Sequence, residues 1–325
     1  MFPEGSASDA SKGERFPLLV IVGPTAVGKT TLSLYLAERL GGEVVSADSR
    51  LFYRGMDIGT AKPTLDERAR VPHHLIDIAD PDETVGLAQF KELAHGTIAG
   101  IHARGRLSLL VGGTGQYVRA VVEGWTPPVV PPDPALRAEL EEEARRRGVQ
   151  ALHDRLAALD REAAARIDPR NVRRVIRALE VCLVTGRPFS AQRARRPPPY
   201  RTLQIGLTMD RVVLYARADA RVEAMMRAGL LEEVRRLVEA GYGWDLPAMS
   251  GLGYAQFRPY FEGQATLEAV VAEIKRATRR FIRHQYNWFR PSDRRIRWFD
   301  VSRATPEEIE GFVRGWLEAD DVRVD

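Results

Sequence analysis

Phe16-Pro-Leu-Leu-Val-Ile-Val-Gly-Pro-Thr-Ala-Val-Gly-Lys-Thr30 decides the fold. Phe16 to Val22 is a short apolar run rich in β-branched side chains, which predicts a parallel strand buried on both faces. Gly23, Pro24, Thr25, Ala26, Val27, Gly28, Lys29 and Thr30 then fit G-x-x-x-x-G-K-T. The glycines let the backbone curl so that its N–H groups converge on phosphate oxygens. Lys29 adds a point charge for the terminal phosphates, and the Thr30 hydroxyl suits Mg²⁺. Leu32, Leu36 and Leu40 follow at helical spacing, and Gly41-Gly42 ends that helix. Strand, glycine-rich turn and helix are the setting that a phosphate-binding loop requires.

Working outward, Glu43 to Ala47 reads as a second strand ending at Asp48, and Leu107 to Val111 as a third closed by Gly112-Gly113. Leu203 to Met209 and Ile296 to Val301 are later strands. Strands alternating with helices predict an α/β fold with a parallel sheet covered on both faces. Ligands bind beyond the carboxyl ends of such strands. The P-loop, Asp48 and Gly112-Gly-Thr-Gly115 therefore aim at one crevice. Asp48 there reads as a general base, a metal-linked acceptor or a turn cap. Asp57 to Pro63 lacks periodicity: it is an ordered polar loop from which Lys62 reaches a phosphate, or a plain surface loop.

Proline breaks the rhythm twice, at Trp125 to Pro134 and at Arg195 to Tyr200. Between them, Ala135 to Arg147, Gln150 to Leu159 and Asn171 to Thr185 read as helices. The expected organisation is a polar leader at 1–15, a core domain from 16–124 and 200–325, and a helical insertion domain at 125–199. Thr305-Pro-Glu-Glu308 is a capping box that opens a last helix.

The chain of 325 residues is 44% hydrophobic and 28% charged, which suits buried cores rather than disorder. One cysteine, Cys182, excludes an internal disulfide framework and a Cys-based zinc site. No apolar run is long enough to span a bilayer, and the N-terminus lacks the apolar segment of a signal peptide, so the expected compartment is the cytoplasm. Net charge is only +4, yet ten arginines face two acids between Arg166 and Arg201. Arg170, Arg173, Arg174 and Arg177 recur at helical spacing, a stripe suited to a phosphate backbone. The other reading is a solvated helix in a chain with 43 arginines and 5 lysines. Thr278 to Arg290 interleaves arginines with aromatics, which suits base stacking or, for Phe281, Ile282 and Phe289, a core.

At this point several blocks match a known family in order: Gly23-Pro-Thr-Ala-x-Gly-Lys-Thr30, Ser46-Ala-Asp-Ser49, Tyr53 to Pro63, His73-His-Leu75, Gly112-Gly-Thr114, Arg177-Ala-Leu-Glu-Val181 and Trp288-Phe-Arg290. They resemble the tRNA dimethylallyltransferases, bacterial isopentenyl transferases that act on the adenosine next to the anticodon. The block from Met56 to Pro63 is the most specific. The resemblance implies a P-loop kinase-like parallel-sheet core with a helical insertion domain. It implies transfer of a dimethylallyl group from dimethylallyl diphosphate to the exocyclic N6 of that adenosine, with Mg²⁺. The P-loop, which matches nucleotide- and ATP-binding proteins, then grips the prenyl diphosphate.

Carried over by motif, Asp48 is the general base and Thr114 the active-site threonine. Gly23 to Thr30 and either Arg217 or Arg221 hold the diphosphate, with Thr30 toward the metal. Asp48, Ser49, Arg50 and Leu51, then Arg137, then Arg173, Arg174, Val175, Ile176 and Arg177 contact the anticodon stem-loop of tRNA. The expected protein works as a monomer, without a membrane. Two stretches depart from the family pattern: Arg50 replaces a small or amide residue, and Arg283-His-Gln-Tyr-Asn-Trp288 replaces Lys-Arg-Gln-x-Thr-Trp. Rival readings are a P-loop small-molecule kinase, an adenine-nucleotide prenyltransferase, and a nucleotide-gated RNA-binding protein without chemistry.

Overall fold

The computed structural model describes residues 15–126, 128, 130–192, 194–195 and 198–319. The expected leader, Arg15 apart, lies outside the described residues, as do parts of both proline-rich stretches. The apolar run forms β1 (Phe16–Val22), which leads through the P-loop into α1 (Lys29–Leu40), closed by left-handed Gly41. In chain order β2 (Gly42–Ser46), α2 (Leu65–Arg70), β3 (His73–His74), α3 (Leu87–Ala103), β4 (Leu107–Val111) and α4 (Gly115–Val122) follow. Next come β5 (Trp125–Thr126), α5 (Pro134–Arg147), α6 (Val149–Leu159), α7 (Arg161–Arg166), α8 (Val172–Thr185) and β6 (Ala194–Arg195). The chain ends with β7 (Tyr200–Thr208), α9 (Arg211–Arg227), α10 (Leu230–Glu239), α11 (Arg258–Phe261), α12 (Leu267–Trp288), β8 (Ile296–Asp300) and α13 (Pro306–Glu318).

Six parallel strands form one sheet in the order β3-β2-β4-β1-β7-β8. β1 is therefore interior, which explains its unbroken apolar sequence. Strand periodicity sends alternate side chains to opposite faces. Leu19 and Ile21 pack with Leu32 and Leu36 of α1 and Ile309 and Val313 of α13. Leu18 and Val20 pack with Phe90 and Ile98 of α3 and Val121 of α4. After β1 the chain builds one side of the sheet, and after β4 it supplies β7 and β8 on the other. The carboxyl ends of β1 and β4 thus flank a topological switch point, where ligands bind in open α/β sheets.

The chain divides into two compact units, one up to Val122 and again from Pro198, the other Glu123–Pro197. In the second unit α5, α6, α7 and α8 enclose Leu140, Leu152, Leu156, Ile167, Val175 and Leu179. β5 and β6, near its two ends, pair antiparallel. Cys182 is buried here. Thr305 caps α13 through the capping box that the sequence shows. Among the described residues no helix is long and apolar enough to cross a membrane.

Candidate active site

Three strand ends build the site. At the end of β1, Gly23 adopts φ +146°, and a Cβ there would lie 2.6 Å from the Leu207 carbonyl oxygen of neighbouring β7. Ala26 holds a left-handed φ of 65°, curling the loop toward α1. Gly28 occupies the N-cap with no side-chain cap, so the amino end of α1 is left to an anion. The Lys29 ammonium donates to the carbonyls of Gly23, at 3.0 Å, and Pro24, at 2.8 Å. Although Lys29 as a residue is partly exposed, its ammonium lies deep in the protein, and burial pushes it down to about 8. Asp48 draws that value back up and Arg221 pushes it down, so these charges share one field.

At the ends of β2 and β4, a Cβ on Gly112 would lie 2.3 Å from the Ala47 carbonyl oxygen, so only glycine lets this turn pass Asp48 so closely. Asp48 Oδ1 accepts the Arg50 backbone N–H at 3.0 Å. The Arg50 guanidinium donates to the Pro247 carbonyl at 2.7 Å, tying this turn to the segment after α10. Thr114 sits at the start of α4, where its carbonyl accepts the N–H groups of Tyr117 and Val118.

Sequence reasoning missed the residue that joins these turns. Gln285, on α12 and buried, accepts the Thr25 N–H at 2.8 Å and donates to the Gly113 carbonyl at 3.3 Å. It therefore bridges the P-loop and the turn that carries Thr114. The signal was the Arg283 to Trp288 block, in which Gln285 and Trp288 keep the family pattern while Arg283, His284 and Asn287 depart from it. Gln285→Leu leaves a buried N–H and a buried carbonyl unpaired, at a cost of about 1–3 kcal/mol. Steady-state kinetics are expected to show this mainly as a raised KM for the phosphorylated substrate, with thermal melts as the folding control.

A cavity of about 250 Å³ opens between these turns and α9 and α12. Its polar wall includes Thr25, Asp48, Arg50 and Arg221. Of the two candidate arginines, Arg221 lines the cavity. Both are exposed as residues, and Arg217 acts on the cavity indirectly: desolvation of the Arg221 guanidinium lowers its pKa, and the Arg217 charge lowers it further. Ser49 and Leu51 flank the cavity residues in sequence, and Thr114 is not among those that line it.

The loop from Asp57 to Ala61 forms another part of the wall through Gly59, Thr60 and Ala61. Glu233 of α10, also missed from sequence, holds it. Its buried carboxylate accepts the N–H groups of Asp57, Ile58 and Gly59 at 2.8–3.0 Å and the Tyr254 hydroxyl at 2.6 Å. Lys62 corrects an expectation. Its ammonium does not face a phosphate, because it is buried, ion-paired to Asp57 and Asp77, and bonded to the Tyr53 carbonyl.

In the helical unit, Arg137 and Arg177 both grip the buried Glu180, and Arg177 also donates to the Val130 carbonyl at 2.9 Å. Burial alone would raise the Glu180 carboxyl, but Arg137, the Asp133 N–H and Arg177 outweigh it and hold the value at about 2. Val175 and Ile176 are buried in this unit's core, as the apolar spacing predicts, which takes Val175 off the surface expected to meet tRNA, whereas Ile176 still lines the depression formed by the arginines. Arg173 and Arg174 are exposed and have no acid partner among the described residues. With Arg137, Asn171 and Arg177 they line an open depression of about 410 Å³. Ile282 and Phe289 of the aromatic stretch are core, whereas Phe281 is exposed and lines the first cavity.

The profile of the IPP transferase family matches residues 51–292. The chain belongs to this family. It is 57% identical over 303 residues to the tRNA dimethylallyltransferase of Roseiflexus sp. (strain RS-1), covering 93% of this chain and 99% of that protein. The enzyme of the same name from Roseiflexus castenholzii is 63% identical over 274 residues, 84% of this chain and 90% of its own length. Among solved structures, the tRNA isopentenylpyrophosphate transferase of Bacillus halodurans superposes with a TM-score of 0.71 at 46% identity, covering 94% of this chain and 98% of that one. A eukaryotic dimethylallyltransferase acting on tRNA gives 0.75 at 25% identity, covering 94% and 79%. The solved relatives therefore share the fold of this chain over most of its length.

Proposed function

We propose that this tRNA dimethylallyltransferase takes dimethylallyl diphosphate in the cavity beside the P-loop and an adenosine next to the anticodon as acceptor. The observation that carries this reading is the convergence of Thr25 and Ala26 of the P-loop, Arg221 and Asp48 on one cavity that also has an apolar wall, with Lys29 in the electrostatic field of Asp48 and Arg221. The bond between the adenine N6 and C1 of the prenyl group forms as the C1–O bond breaks. The diphosphate leaves with that electron pair, met by Lys29, Arg221 and the loop amides. An aromatic exocyclic amine is a weak nucleophile, so Asp48 receives the N6 proton as the new bond forms. The adenine must leave its stack, at roughly a few kcal/mol.

Mg²⁺ fits the donor set. Thr30 brings a hard hydroxyl oxygen beside Lys29, and no group of three or more His, Cys, Asp or Glu forms a cage among the described residues. Such a site suits an ion that keeps several waters and shares substrate phosphate oxygens. When bound, Mg²⁺ would supply charge neutralisation at the leaving diphosphate.

Arg173 and Arg174 offer exposed charge to the anticodon stem-loop, flanked by the anchored Arg137 and Arg177. Converting both Arg173 and Arg174 to alanine is expected to weaken tRNA binding and to reduce the slope of log K against log salt by roughly one per charge removed. Filter binding across a salt series measures it. In this reading the enzyme acts as a monomer in the cytoplasm.

The deciding assay combines the purified chain, Mg²⁺, radiolabelled dimethylallyl diphosphate and unmodified tRNA, with AMP and ATP as rival acceptors. Label in tRNA is the expected result. Label only in free nucleotide would move the acceptor, and ATP turnover without prenyl transfer would make the loop a kinase's.

A further inference from the structure

The apolar wall of the cavity comes from two helices and from Leu252 of the segment after α10. α9 presents Ala218, Val222 and Met225, and α12 presents Ile274, Thr278 and Phe281, each at steps of four and three residues. Their register is antiparallel, because Asp219 pairs with Arg279 while Glu223 pairs with Lys275. Ala218 therefore lies toward the Thr278 and Phe281 end, and Met225 toward Ile274. The two ends belong to different cores. Ala218 packs in the cluster that contains Ala26 of the P-loop. Val222 and Ile274 pack in another, with Met225 and Tyr254. The groove thus starts at the loop that grips phosphate and ends on aliphatic side chains, about 10 Å away along α9 at 1.5 Å per residue.

We propose that Val222, Met225 and Ile274 form an end wall that limits the donor to a single isoprene unit. This rests on the donor reading above and adds the determinant of chain length. With the diphosphate at the P-loop, the prenyl chain follows the apolar side of the cavity along α9 and α12, with Leu252 beside it. Val222 and Ile274 are fixed by burial, whereas Met225 is partly exposed and unbranched, so its side chain sets the depth. Cutting it back opens room for a second isoprene unit. The longer donor reacts by the same balance: N6 gains C1 of the geranyl group, diphosphate leaves with the electron pair, and the proton goes to Asp48.

The test compares dimethylallyl diphosphate with geranyl diphosphate as donors to unmodified tRNA, using the full chain, Met225→Ala and the smaller cut Met225→Val, with mass spectrometry of the modified base. Thermal melts establish folding. Met225→Ala is expected to raise the geranyl-to-dimethylallyl ratio of kcat/KM by about tenfold or more, the scale of a methylene-sized change in an apolar pocket. Met225→Val is expected to shift it less in the same direction. An unchanged ratio in both folded variants overturns the proposal, as does a rise in the KM for tRNA alone, which would put the adenine against this wall. Failure of the unsubstituted chain to use dimethylallyl diphosphate would overturn the donor reading and this inference with it.

Discussion

Asp48→Asn is expected to lower kcat for prenyl transfer to tRNA by about 10²–10⁴, the usual contribution of a positioned general base. The substitution separates chemistry from architecture. An asparagine Oδ1 still accepts the Arg50 N–H, now at 3.0 Å, so the turn after β2 keeps its shape. What is lost is the capacity to receive the N6 proton. A second, smaller effect follows from charge. Asp48 raises the Lys29 pKa against the burial that holds it at about 8, so removing the carboxylate leaves Lys29 less often protonated and weakens the grip on diphosphate. Single-turnover measurements at saturating donor isolate the first effect, and the donor KM reports the second. A kcat unchanged in the folded variant would remove Asp48 from the proton transfer.

Glu180→Ala is expected to destabilise the helical unit by about 1–3 kcal/mol, the cost of leaving the Asp133 N–H and two half-buried guanidiniums without their acceptor. The carboxylate accepts from both Arg137 and Arg177 and from the Asp133 N–H at 2.8 Å, and its side chain is fully buried. Acid should abolish the difference. The folded-state value of about 2 lies below the ordinary carboxylate value of about 4.3, so the contribution is fully present above the latter and disappears as pH falls through about 2. Denaturant melts of the two proteins near neutral pH and in acid should converge as pH drops. A variant as stable as the parent at neutral pH would contradict the assignment. Glu180→Gln, which keeps an acceptor without the charge, should fall between them.

Some of this was legible and some was not, for identifiable reasons. β1 was written in its own residues, because an interior parallel strand must be apolar on both faces, and Phe16 to Val22 satisfies that locally. The P-loop was equally local. β3 escaped, since two residues carry no periodicity. Lys62 was left between a phosphate contact and a surface loop because sequence shows a charge but not its company, and one of its partners, Asp77, arrives from another turn of chain. Gln285 and Glu233 act on backbone groups of loops far away in sequence, and no spacing rule encodes such a contact. The apolar spacing buries Val175 and Ile176, yet the family block from Arg173 to Arg177 carried both to the tRNA surface; Val175 lies in the core, whereas Ile176 keeps an edge in the depression with the arginines. Arg217 and Arg221 could not be ranked, because one helical turn separates them and only the packing of α9 shows which lines the cavity.

The strand order also sets a timetable for the nascent chain. Phe16 is made long before its partner in the sheet, Tyr200, and β8 is completed only at Asp300. Chains emerge N-terminus first, at about 5–20 residues per second. The whole stretch from Glu123 to Pro197, with its own core, is synthesised while β1 still has an open edge on its β7 side. A message broken before the codon for Tyr200 would yield that stretch complete beside a greasy, half-built sheet, the kind of intermediate that chaperones and proteases remove. The catalytic crevice is completed well after its turns are made, because Gln285, which joins them, follows Gly113 by 172 residues.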